Sequence, residues 1–133
     1  MDAVADAIAA IDNDEVPDKD TLKAAVRELL RALAAKAPGH SVEVRVPPYG
    51  AVQCVEGPRH RRGTPPNVIE CQPLVFVELA AGRTAFADAV ATGRVSASGQ
   101  RADLTAVLPL TGPHGEPLGD EAGAEEAAEE EEV

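Results

Sequence analysis

Residues 53–67, QCVEGPRHRRGTPPN, crowd Arg59, Arg61 and Arg62 around His60, with Glu56 as the one acid of the stretch. Three guanidinium groups within four residues suit a carboxylate or a phosphate, because the planar fork donates its hydrogen bonds in pairs. Gly57 and Gly63 let backbone amides approach an anion as well. The proline-rich GTPPN restricts the chain, which lowers the entropy lost on binding. The alternative is an exposed basic turn whose long side chains simply stay hydrated. Arg45, on a strand face opposite Val44, extends the candidate anion-binding set to Arg45, Arg59, His60, Arg61 and Arg62. Glu56 could orient one of these arginines through a surface pair worth at most ~1 kcal/mol.

Other chemistries find little purchase. His40, His60 and His114 are scattered, and neither a Gly-x-Ser-x-Gly elbow nor a phosphate-binding glycine loop is present. No catalytic residue is therefore assigned. Cys54, His60 and Cys71 match no zinc-ligand spacing, and neither metal nor cofactor is expected. The two cysteines read as reduced thiols serving as small hydrophobes.

The net charge of −11 is unevenly spread. Residues 1–20 hold seven acids against one lysine, and residues 116–133 hold nine acids and no base. Between them, residues 21–115 carry eleven bases against seven acids. A mildly basic body thus wears acidic ends, and the overall balance says little about what the body binds. Two Phe, one Tyr and no Trp leave a core of aliphatic side chains and speak against a single-stranded nucleic-acid platform, which stacks bases on rings. No window reaches 18 uninterrupted apolar residues, and the acidic start lacks the pattern of a secretory signal, so a cytoplasmic protein is expected. The organisation reads as an acidic N-terminal segment and linker over 1–19, one folded domain over 20–112, and a disordered acidic tail over 113–133.

Hydrophobic periodicity supplies the elements. Val4, Ile8 and Ile11 predict a short first helix. Leu22, Val26, Leu29, Leu30 and Leu33 predict a longer one, capped by Asp20 or Thr21 and stopped by Pro38-Gly39. Val42, Val44 and Val46 alternate with Glu43 and Arg45 as a half-buried strand, which a turn at PPYG joins to a second strand, AVQCVE. NVIEC predicts a third strand. A helix from Pro73 to Gly82, one from a Thr84 cap to Gly93, a strand RVSAS ending at Gly99, and a last helix over ADLTAVLPL complete the chain. Strands grouped in this way, without regular βα alternation, predict an α+β fold: a mainly antiparallel sheet of four to five strands with helices on one face.

The stretch FVELAAGRTAFADAVATGRVSASG resembles the C-terminal half of sterol carrier protein type 2 domains. Leu79 and Gly82 fall on that family's Leu-x-x-Gly helix end, Ala89 on the buried alanine of its next helix, and Gly93, Arg94, Val95, Ala97 and Gly99 on its glycine-bounded strand. Residues 25–110 as a whole are similar to the compact bacterial orthologues of that domain. Ala97 replaces a larger aliphatic residue and Gln100 an Asp or Asn, and four strands stand where the family has five. The resemblance implies helices packed on a mainly antiparallel sheet around an apolar tunnel for lipid. Phe76, Val77, Leu79, Phe86, Val90, Leu104, Val107, Leu108 and Leu110 are then candidates for the tunnel wall, although each alone is also an ordinary core residue. The expected function is non-enzymatic carriage of a fatty acid or other lipid, its acidic head held by the basic loop. The competing reading is an interaction module whose basic loop recognises a nucleotide, an RNA backbone or an acidic protein segment.

Overall fold

Alternation decides the sheet. In the first strand Val42, Val44 and Val46 are fully buried while Glu43 and Arg45 lie half-buried on the opposite face, as a two-residue side-chain period requires. The protein, a computed structural model that describes residues 2–57 and 66–118, orders its elements as α1 (Asp2–Asp12), α2 (Lys19–Lys36), β1 (Val42–Val46), β2 (Gly50–Cys54), β3 (Asn67–Cys71), α3 (Pro73–Ala80), α4 (Phe86–Ala91) and β4 (Val95–Ser98). The fold is α+β, with one sheet in the order β2-β1-β3-β4.

β1 pairs with β2, and β3 with β4, in antiparallel fashion, whereas β1 and β3 run parallel. The sheet is therefore mixed. The reason is where the chain returns: β3 lies beside β1 rather than beside β2, with Cys54 and Asn67 flanking Val42 at the N-terminal end of β1.

The helices gather on the inner face. α2 buries Ala25, Val26, Leu29, Leu30 and Leu33, and packs on β2, α1 and α3. Its cap is Asp18, whose Oδ1 accepts the Thr21 amide at 2.8 Å, so the helix begins slightly earlier than an Asp20 or Thr21 cap would place it. α1 buries Val4, Ala7 and Ile8 against the same core, and the N-terminal segment is thus part of the folded body. Arg83 fastens it there, donating to both carboxylate oxygens of Asp12 (2.8 and 2.7 Å) and to the carbonyls of Ala81 and Pro113 (2.9 and 2.6 Å). α4 starts at Phe86 behind Ala85, without a side-chain cap. The Thr84 hydroxyl instead accepts an Arg94 N–H at 3.4 Å.

The expected last helix over 102–110 does not form. Leu104, Val107 and Leu108 stand at helical spacing but make a single turn, with the Val107 and Leu108 amides both bonded to the Leu104 carbonyl (2.9 and 3.0 Å). Pro109 then has no N–H to continue it, and the Leu110 and Thr111 amides go to the Ala80 carbonyl of α3 (2.7 and 3.2 Å). The result is an extended strap that buries Ala102, Leu104 and Leu110 across the core. Beyond it Thr111 bridges to Pro117, and Glu116 accepts the His114 amide at 2.8 Å, so residues 113–118 form an ordered turn. The rest of the acidic tail lies outside the described residues.

Candidate functional site

Arg59, His60, Arg61 and Arg62 lie outside the described residues. Their two flanks, Gly57 and Pro66, lie at the N-terminal end of β1, and each lines a cleft. One cleft, about 420 Å³, is bounded by Pro38, Gly39, His40, Glu56 and Gly57. The other, about 260 Å³, is bounded by Pro66, Asn67, Gly99, Gln100 and Arg101.

Local backbone requirements explain why this end has its shape. Val55 is held at φ 69°, a left-handed conformation unusual for a β-branched residue. Two backbone bonds fix it there, from its amide to the Ala37 carbonyl (2.6 Å) and from the Ser41 amide to its carbonyl (3.1 Å). The Ser41 hydroxyl adds a bond of 2.7 Å to the same carbonyl. Gly39 lies so close to Val55 that any Cβ would run into the Val55 carbonyl. Gly57 is similarly tight, with a Cβ there falling 2.9 Å from the Ser41 Cβ and 3.3 Å from Arg101 Nη1. The Arg101 guanidinium therefore sits against the backbone that leads into the basic segment.

Asn67 organises the second cleft. It is 5 % exposed, donates from Nδ2 to the Ser41 carbonyl (2.8 Å) and accepts the Arg101 amide at Oδ1 (2.9 Å). One buried amide thus ties the start of β1, the start of β3 and the turn after β4 to one another. Gly99, at φ 108°, makes room for it, since a Cβ would strike Asn67 Oδ1. The Arg101 side chain makes no hydrogen bond or ion pair with another described residue.

Arg45 is not gathered into this site. It stands three residues further along β1, roughly 10 Å away at strand rise, and its guanidinium is taken by Glu43 at 3.0 and 3.2 Å. Glu56 lines the first cleft, and His40 Nδ1 lies 2.9 Å from Gln53 Oε1 on the outer face.

The apolar candidates do collect in one place. Phe76, Val77, Leu79, Phe86, Leu104 and Leu110 are all buried in the single core cluster, and Val107 and Leu108 pack against it half-buried. Val90 departs from the set at 37 % exposure. It lies 40° past Phe86 on the helical wheel at the end of a six-residue helix, with Ala89 rather than Val90 turned to the core. Neither of the two clefts is lined by these apolar residues; they are enclosed by helices, sheet and strap. Lys36 clasps the strap from α2, donating to the Val107 carbonyl at 2.7 Å and to the Pro109 carbonyl at 3.0 Å.

Cys54 and Cys71 are free, buried thiols on the inner face. Burial pushes Cys54 up to about 11, and burial with the neighbouring Glu70 charge pushes Cys71 up to about 12, so neither is a ready nucleophile. Among the described residues no three His, Cys, Asp or Glu side chains come together to hold a metal ion, and no helix is long and apolar enough to cross a membrane.

Three residues of this region escaped the sequence: Asn67, Arg101 and Lys36. The available signals were slight, an asparagine closing a proline-rich turn and a base placed two residues after the strand-ending Gly99. Comparison with curated proteins gives no match. The family of bacterial SCP orthologs matches residues 18–110, from the Asp18 cap of α2 through the sheet, α3, α4 and the strap to Leu110, and the chain belongs to that family.

Proposed function

We propose that the protein binds and carries an apolar molecule with an ionised head, without catalysing a reaction. Membership of the bacterial SCP ortholog family supports a lipid-carrier role in outline. The observation that carries the finer reading is the strap over 102–110, a non-helical cover lying on the apolar cluster. Phe76, Val77, Leu79 and Leu104 are at most 1 % exposed, so a guest enters by displacing the cover and the side chains beneath it rather than by filling a standing tunnel. Each methylene buried there would contribute ~0.8 kcal/mol, against the cost of ordering the chain and moving the cover. The arginines of the 58–65 segment, whose flanks line both clefts, would hold the head.

Titration with a fluorescent fatty acid in high salt tests this. Saturable one-to-one binding that survives the salt is expected, because apolar burial is not screened. Neutralising Arg59, Arg61 and Arg62 together should weaken binding of the acid and leave the unfolding midpoint nearly unchanged. Absence of binding would refute the carrier reading.

The near-complete burial of Phe76, Val77, Leu79 and Leu104 favours a second reading, an interaction module whose basic segment meets an anionic partner. Its affinity would fall steeply as salt rises, because counterions released from the partner drive the association.

A further inference from the structure

We propose that Arg101 reads the ionised head of the ligand and sets a preference for acids over neutral lipids. The inference rests on the carrier reading and adds a residue to it that lies within the described fold.

Four observations converge. Arg101 lines the 260 Å³ cleft together with Pro66, Asn67, Gly99 and Gln100. Its side chain lacks a partner among the described residues, unlike Arg45, Arg83 and Arg94, which pair with Glu43, Asp12 and Glu78. Its backbone is anchored by a buried polar group, Asn67 Oδ1, which fixes where the side chain departs. Finally, Arg101 stands at the threshold of the apolar interior: the next residue, Ala102, is 8 % exposed and Leu104 is 1 % exposed.

These placements give the site a polarity. A carboxylate on the Arg101 fork would sit in the open cleft, and the chain attached to it would pass inward along the strap toward Leu104. The nearest acid on the strap, Asp103, has its Oδ1 bonded to the Thr105 amide at 2.8 Å. A guanidinium held by its backbone loses less freedom on forming a paired hydrogen bond than one on an unanchored loop. Asn67 is accordingly a positioning residue and Arg101 the one that touches the ligand.

Dodecanoate and methyl dodecanoate, which share a chain and differ in charge, make the test. With the full chain near neutral pH, the acid is expected to bind about tenfold more tightly than the ester. Arg101→Gln should cut that tenfold to a few-fold, the remainder resting on Arg59, Arg61 and Arg62, and leave the ester unchanged, while Arg101→Lys should keep more of it. Equal loss of acid and ester in Arg101→Gln, or no loss of either, would overturn the assignment while leaving lipid binding intact. Failure of both ligands to bind the unaltered protein would overturn the carrier reading and the assignment with it.

Discussion

The inner face of the sheet and its Asn67 end are made of opposite materials. On the inner face, aliphatic side chains from α1, α2, α3, β1 and the strap close on one another, and shape rather than direction holds them. At the Asn67 end the contacts are directional. Ser41, Asn67 and the Val55 backbone exchange hydrogen bonds, and glycines at 39, 57 and 99 admit approaches that a side chain would block. The first region would lose stability in proportion to the volume removed from it. The second would lose geometry, which matters for what reaches Arg101. The difference separates what folds the chain from what equips it.

Substitutions in the two regions sharpen this contrast. Phe76→Ala, in the middle of the apolar cluster, should cost about 3–5 kcal/mol in urea unfolding, and a cost near zero would mean that the interior is not close-packed. Asn67→Ala leaves the Ser41 carbonyl and the Arg101 amide without their buried partner and should cost about 1–3 kcal/mol. It should also weaken binding of an acidic ligand more than Phe76→Ala weakens it relative to the neutral one. If both variants altered the two ligands alike, the proposed division would fail.

Acid should loosen α1 before the sheet. The hydrogen bonds from Arg83 hold Asp12 below the usual carboxylate range, with the Arg83 charge acting in the same sense. A carboxyl lowered in the folded state stabilises it above the unfolded pKa, and that contribution is lost as pH falls through the lower, folded value. Unfolding midpoints measured from pH 6 downward should therefore drop less in Asp12→Asn than in the unaltered chain. The smallest effect belongs to Lys36→Ala. Its two bonds to the strap are exposed, so stability should change by under about 1 kcal/mol, yet amide exchange at Leu110 should quicken as the clasp is lost.

Much of the fold was legible because it rests on short-range periodicity. The two-residue alternation of β1, the helical stripe from Leu22 to Leu33 and the proline start of α3 each follow from neighbours in the chain. The strap departs from its local pattern for the same reason. Leu104, Val107 and Leu108 carry a helical spacing, but the acceptor that redirects the following amides is Ala80 on another element. The cap of α2 is Asp18 rather than Asp20 or Thr21 because all three suit such a position, and only the backbone chooses among them. The parallel pairing of β1 with β3 likewise depends on which side of the hairpin the chain returns to. Family membership was visible in the glycine-bounded elements after Pro73, whereas Arg101 beside Gly57 is a meeting of distant segments that no local pattern announces.

Native mass spectrometry of the full chain, purified from its own host without detergent, tests the central claim most directly. The account predicts a population heavier than the bare polypeptide by one lipid-sized mass, which is released on denaturation. A single species at the bare mass that also stays bare after incubation with excess dodecanoate would contradict it.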